Sequence, residues 1–200
     1  MMKSAASPSA GHGENAGVIA ETERLVIRRL TAADRDAIAR VLCDSKVMEF
    51  SMGRLPRNQV SQWIHDRTAE YEQLGYGIWA VTLSTSGETI GYCGFSRLGG
   101  DDGGQDTEIG FRLARRFWSR GYATEAASAT LSYGFSVLGL PRIVALVDPY
   151  NTRSIRVVEK LGMQWERDIM LPGYDHPDRL YVARRTARST ALPSHSPPAY

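Results

Sequence analysis

The chain is poor in the features that would place it in a specialised class. Its only cysteines are Cys43 and Cys93, with no C-x-x-C pair and no histidine in either neighbourhood. Neither a disulfide framework nor a zinc site is indicated, and a reducing cytoplasm is the default compartment. No apolar run approaches the ~20 residues that a membrane helix needs. The first twenty residues hold one lysine but no apolar core of signal-peptide length, so the reading is a cytoplasmic protein without a membrane partner. Charge of one sign is scarce too: 24 Lys and Arg against 22 Asp and Glu leave +2. That balance gives no broad field to hold a polyanion, and nucleic acid is not implied. Both standard phosphate fingerprints, G-x-G-x-x-G and the loop ending in Gly-Lys-Ser/Thr, are missing, which disfavours a nucleotide-binding α/β protein.

What is present fits one globular domain. Hydrophobic residues make up 42% and charged residues 23% of 200 residues, near the globular average and enough for a real core. Residues 1–20 and 188–200 are built from Ser, Ala, Gly, Pro and His, and read as disordered tails around a domain spanning 21–187.

Within that domain, period and punctuation give the elements. Arg24 to Leu30 reads as a strand, followed at Thr31 by a helix start with Asp34 in its first turn. Val60, Trp63, Ile64, Arg67, Tyr71 and Leu74 fall at helical spacing and stop at Gly75, the clearest amphipathic helix in the chain. Ile78–Leu83 and Thr89–Leu98 flank a Ser-Thr-Ser-Gly turn and form a hairpin. After a glycine-rich loop at 99–104, Thr107–Leu113 resumes strand character. A helix with the small-residue face Ala123, Ala126, Ala127 and Thr130 follows. Ile143–Val147, a helix from Thr152 to Leu161, and strands near 164–169 and 180–183 complete the order β-α-α-β-β-β-α-β-α-β-β. Three strands in a meander before a strand-helix-strand crossover imply an α/β fold. It has a single mixed, mostly antiparallel twisted sheet of about seven strands, with helices on both faces.

The most informative stretch is Glu108 to Ala126, EIGFRLARRFWSRGYATEA. A strand runs into a turn carrying Arg115, Arg116, Arg120 and Gly121 and then directly into a helix. Such a turn offers free backbone N–H groups and a positive dipole end to an anion; an ordinary strand-to-helix turn with solvated arginines is the alternative.

Taken with Glu108-Ile-Gly-Phe before it, and Asn151-Thr-Arg-Ser154 and Glu159-Lys-Leu-Gly162-Met after it, the segment Arg116-Phe-Trp-Ser-Arg-Gly121-Tyr-Ala-Thr-Glu-Ala resembles the GNAT superfamily of acyl-CoA-dependent N-acetyltransferases. The likeness is closest to the RimJ/RimL-like branch, which acetylates ribosomal-protein N-termini and related amines, and covers residues 22–186 from the opening Thr22-Glu-Arg-Leu. It implies acetyl-CoA as co-substrate and no metal. On the family's pyrophosphate pattern fall Arg116, Ser119 and Gly121, with Ser119 standing where the family has glycine. By the same resemblance, backbone groups of Trp118, Ser119, Arg120, Gly121, Tyr122 and Ala123 cradle the pyrophosphate. Ile109, Gly110, Phe111 and Arg112 run beside the pantetheine arm, and Asn151 bonds it. Asn151 is equally a good helix N-cap. A left-handed backbone at Ser119 would cost about 1–2 kcal/mol relative to glycine.

Acetyl transfer to an amine needs a base, because an α-amino group titrates near ~8 and a lysine near ~10.4. Glu108, a carboxylate inside an apolar strand, is the candidate, with a solvent-facing ion pair as its alternative role. The thiolate leaving group needs a proton donor. The position where many superfamily members carry tyrosine is Val158 here, whereas the RimJ/RimL-like branch implies Ser154; Tyr150 is a spare candidate. Ser154 can also be a first-turn helix residue bonding the backbone. N–H donors of the Glu108–Phe111 strand are expected to face the acetyl oxygen where that strand splays from Ile143–Val147.

Acceptor choice is assigned to Phe50–Leu55, Gly99–Gln105 and Leu171–Asp178, where Asp175 can hold a cationic amine and His176 reads as a solvated loop histidine. The expected partners are acetyl-CoA and an amine, either a peptide N-terminus or a small molecule, in a monomer or homodimer. A non-catalytic acyl-CoA-binding or regulatory module is the alternative.

Overall fold

The computed structural model describes residues 17–99 and 105–185. The expected tails at 1–16 and 188–200 and the loop at 100–104 lie outside the described residues. Strands β1 (Val18–Glu21), β2 (Leu25–Arg29), β3 (Ile78–Leu83), β4 (Thr89–Gly99), β5 (Gln105–Leu113), β6 (Arg142–Val147), β7 (Gln164–Ile169) and β8 (Asp178–Arg184) alternate with helices α1 (Arg35–Leu42), α2 (Val60–Leu74), α3 (Tyr122–Ser136) and α4 (Thr152–Lys160). The eight strands make one sheet in the order β1-β2-β3-β4-β5-β6-β8-β7. Only the β5–β6 pair is parallel, because α3 carries the chain back across the sheet between those two strands. The mixed α/β sheet is the one expected, with one strand more.

That strand corrects the reading of residues 18–20 as tail. Val18, Ala20 and Glu21 pair with Arg28, Ile27 and Val26 of β2 through a bulge. The apolar Val18-Ile19-Ala20 follows a stretch of small and polar residues, whose composition hid a short edge strand.

Helices cover both faces. Neighbouring residues on a strand point to opposite sides, and β4 shows where each helix lies. Tyr92 packs on Trp63 of α2 with ring centroids 5.3 Å apart, whereas Cys93 Sγ accepts a hydrogen bond from Thr130 of α3 at 3.3 Å. The small-residue face of α3 permits close approach: a Cβ added at Gly134 would stand 2.7 Å from Ile143 and from Phe95.

Two buried polar anchors fix α2 and α1. Tyr71 of α2 donates its hydroxyl hydrogen to the Ile78 carbonyl and accepts from the Leu30 N–H, and burial pushes the phenol up to about 12. Asp34, just before α1, meets the Arg28 guanidinium at 2.8 and 2.9 Å, the Thr89 hydroxyl at 2.7 Å and the Thr31 N–H at 2.9 Å. Burial alone would raise that carboxyl, but these bonds outweigh it and bring it to about 2. Among the described residues no helix is long and apolar enough to cross a membrane.

Candidate active site

The turn between β5 and α3 is held by contacts that reach back to the opening of the domain. Glu125, in the first turn of α3, accepts from the Thr22 hydroxyl at 2.6 Å, the Arg24 N–H at 3.0 Å and Arg24 Nε at 2.7 Å. The same guanidinium donates to the Arg120 carbonyl at 3.0 Å and lies over the Tyr122 ring. Thr22-Glu-Arg-Leu is thus a clamp on the turn. Within the turn, Ser119 has φ 58° and Gly121 φ 83°, so Ser119 occupies a left-handed conformation for which it lacks glycine's freedom. No side chain caps α3, and its first-turn N–H groups have no partner within the helix.

That helix end opens onto a cleft of about 680 Å³, within the roughly 300–1,000 Å³ typical of small-molecule sites. Trp118, Ser119, Gly121, Tyr122 and Ala123 line it at one end, where α4 adds Arg153, Arg156 and Lys160. The Trp118 indole donates to the Leu113 carbonyl at 2.7 Å, and the Arg153 guanidinium sits 4.5 Å from its ring centroid. This end combines a helix dipole, free amides and three cations, a combination that suits a phosphorylated ligand.

The floor comes from β5. Glu108, Gly110 and Arg112 alternate onto one face of the strand, and a Cβ added at Gly110 would meet nothing within 4 Å. The floor therefore has a gap between its carboxylate and its guanidinium. Along β5 and β6 the ladder pairs only Glu108 with Val144 among the described residues, although both strands run on, so the two diverge beyond that point as expected. Burial pushes the Glu108 carboxyl up to about 7, against the Leu146 backbone N–H and Arg112, which favour its charged form, and with Asp178 adding to the rise. A carboxyl so placed is poised to change protonation near neutral pH.

Most of the expected site residues meet in this cleft. Glu108, Ile109, Gly110, Phe111, Arg112, Asn151 and Ser154 line it together with the turn. Asn151 is the N-cap of α4: its Oδ1 accepts from the Ser154 N–H at 3.2 Å, which leaves its side-chain NH₂ to face a ligand. Val158 is wholly buried in the core.

Four expectations are corrected. The Arg116 guanidinium pairs with Glu88 and covers the Phe117 ring instead of lining the cleft. Arg120 does not line it either; its carbonyl is taken by Arg24 and its guanidinium points towards Phe117. Tyr150 is 71% exposed and stacks edge-on against His176, outside the cleft. Lastly, His176 is no free solvated histidine. Its Nε2 lies 3.1 Å from Asp148 and its Nδ1 2.6 Å from Asp175; Asp175 gives that nitrogen one oxygen while its side chain stays 94% exposed.

The acceptor segment Leu171–Asp178 does bring Leu171, Tyr174 and Asp178 to the cleft, but sequence reasoning missed Asp148 and gave Asp178 no role of its own. Asp148 follows the last residue of β6 and Asp178 starts β8, and only the β6–β8 pairing brings them side by side. A carboxylate at each strand end was the available signal.

The same fold and sequence pattern recur in known proteins. The family model described as acetyltransferase (GNAT) domain matches residues 24–164. The chain is 34% identical over 149 residues to the uncharacterized protein YkkB of Bacillus subtilis, covering 74% of this chain and 86% of that protein. It superposes on a GNAT-family acetyltransferase from Bacillus anthracis with TM-score 0.72 and 30% identity, over 82% of this chain and 97% of that one. RimL, a ribosomal L7/L12 α-N-protein acetyltransferase solved with coenzyme A, shares the fold at TM-score 0.70 and 16% identity, over 84% of this chain and 97% of that chain. A model match that begins at Arg24 of the clamp and spans the β5–α3 turn and the α4 cap leaves one assignment: the chain belongs to the GNAT acetyltransferase family.

Proposed function

We propose that the protein moves an acetyl group from acetyl-CoA to a primary amine, with Glu108 as the general base. The observation that carries this reading is the position of Glu108. Its carboxyl, raised to about 7, sits on the cleft floor one open glycine away from the strand divergence, in a cleft whose far end is built for phosphates. RimL, of the same fold, holds coenzyme A, which supports the choice of donor.

The residues present fit that co-substrate. The first-turn amides of α3 and the backbone of Trp118, Ser119, Gly121, Tyr122 and Ala123 take the pyrophosphate, and Arg153, Arg156 and Lys160 supply further positive charge. The Asn151 NH₂ and the strand Ile109–Phe111 hold the pantetheine arm along the gap above Gly110. Acetyl-CoA supplies a thioester-activated acetyl group. Glu108 accepts a proton from the incoming ammonium or amine, directly or through water, so that the nitrogen lone pair is free to attack. Backbone N–H groups of β5 facing the widening gap stabilise the negative charge that grows on the acetyl oxygen. As the new C–N bond forms and the C–S bond breaks, Ser154 passes its proton to the thiolate and recovers one from the nitrogen that has become cationic, directly or through water, Val158 being unable to.

The acting unit is the domain described here together with its flanks to about residue 187, in the cytoplasm, as a monomer or homodimer. Isothermal titration of CoA, together with mass-spectrometric detection of acetylated amine, tests the reading. Both CoA binding and product are expected. Binding without transfer to any amine would favour a non-catalytic acyl-CoA-binding module instead.

A further inference from the structure

At the end of the cleft away from α3, carboxylates outnumber their partners: His176 contacts Asp148, and among the described residues no cation pairs with Asp178. The β6–β8 ladder ends with Val147 opposite Arg179, which brings the next residues on the two sides, Asp148 and Asp178, together at its mouth. Both are more than nine-tenths buried, at 8% and 7% exposure, and both line the cleft with Glu108 and Tyr174. One oxygen of each aspartate and a His176 nitrogen lie within 4.8 Å of one another.

The two aspartates are not equivalent. Asp148 accepts from the Tyr150 N–H at 2.7 Å and contacts His176. Asp178 Oδ1 is buried with no hydrogen-bond partner. Neither arginine lining this part of the cleft pairs with the two aspartates: Arg112 Nη1 is turned to Met48 Sδ at 3.2 Å and to the Tyr92 hydroxyl at 3.5 Å, and Arg67 pairs with Glu70. A buried carboxylate oxygen left without a donor is costly, and Asp178 lines the cleft, where a ligand can bring one.

We propose that Asp178, backed by Asp148, binds a second ammonium group of the acceptor, so that the acceptor is an alkyl diamine or polyamine and not a monoamine. This rests on the acetyltransferase reading. The attacking nitrogen is neutral when it meets the thioester, so the positive charge that Asp178 faces belongs to another nitrogen of the same molecule. An ammonium brings three donors to oxygens that otherwise have too few. A metal ion fits less well. Both His176 ring nitrogens are already engaged by carboxylates, Nε2 with Asp148 and Nδ1 with Asp175.

The test is calorimetric titration of the full chain, with and without CoA, using 1,4-diaminobutane, longer α,ω-diamines and n-butylamine, repeated on Asp178→Asn. Diamine is expected to bind about tenfold or more tighter than butylamine, an advantage that shrinks by about tenfold in the variant. Affinity is also expected to peak at one diamine length. Equal affinity for diamine and monoamine, an advantage unchanged in Asp178→Asn, or no length optimum overturns the proposal. So does tight binding of Zn²⁺ or Mg²⁺ that Asp178→Asn abolishes while diamine binding is absent. If the variant melts at room temperature, the length series on the unaltered protein decides alone. Absent CoA binding with an intact diamine preference would sink the donor assignment and spare the subsite, whereas intact CoA binding without that preference would do the reverse.

Discussion

The two ends of the cleft are built from different materials. At the α3 end the chemistry is mostly backbone: uncapped amides of the first helical turn, a left-handed Ser119-to-Gly121 turn and a clamp from Thr22 and Arg24. At the other end it is mostly side chains, Glu108 of β5, Asp178 at the start of β8 and Asp148 just after β6. A site made of backbone must keep its local fold, and so it leaves a contiguous signature. A site made of side chains needs only that strand ends converge, and the residues delivering them lie far apart in sequence.

The sharpest way to separate the two ends is Glu108→Gln. It removes the base and leaves the α3 end intact, so turnover is expected to fall by roughly 10²- to 10⁴-fold with CoA affinity retained, as single-turnover kinetics and calorimetry would show. In the unaltered protein the rate should climb as pH rises through about 7, where Glu108 loses its proton, and this limb should vanish in the variant. Stability should respond with the opposite sense. A carboxyl whose folded pKa is about 7, above its ordinary 4.5, lends stability that is fully present below about 4.5 and lost as pH rises through 7. Glu108→Gln is therefore expected to melt above the unaltered protein at pH 8, with the gap closing towards pH 4.5.

Filling the gap between the ends comes next. Because a Cβ at Gly110 meets nothing, Gly110→Leu should fold, as circular dichroism would check, yet it places a side chain across the route that both ligands share. Transfer should fall at least as far as either ligand's affinity does, and a variant with full activity would show that the cleft is not the path.

A change at the clamp acts on the α3 end only. Arg24→Ala removes the bonds to Glu125 and the Arg120 carbonyl and is expected to weaken CoA about tenfold while amine binding stays within twofold; a loss shared equally by both ligands would mean that the ends are not separate. The smallest effect is expected from Ser119→Gly. Relief of the left-handed strain should stabilise the fold by about 1 kcal/mol, seen in chemical denaturation, with CoA affinity changed little.

How far the sequence could be read follows the same division. The Glu108–Ala126 stretch, the Asn151 cap and the departure at Ser119 were all legible, because each depends on neighbours a few residues away. Helix α2 was legible for a similar reason, its Val60, Ile64 and Tyr71 recurring at the period of the core face. Strand β1 was not, since pairing to β2 and not composition makes it a strand. Nor were Asp148 and Asp178, whose partnership exists only through the β6–β8 ladder. The arginines misled in the opposite way: Arg116 and Arg120 sit inside the motif, but Glu88 and Phe117 take the first and the ring of Phe117 faces the second. A pattern marks where a turn lies and says little about where its long side chains go.

The central claim is that Glu108 joins the two ends into one catalytic site. It is tested most directly by mass spectrometry of a mixed panel of diamines, monoamines, Ser- and Ala-initiated peptides and aminoglycosides incubated with acetyl-CoA and either the unaltered protein or Glu108→Gln. One acetyl added to an acceptor by the unaltered protein and not by the variant, with CoA bound by both, is the predicted result. Equal transfer by the two proteins, or CoA binding with no product from either, would contradict it.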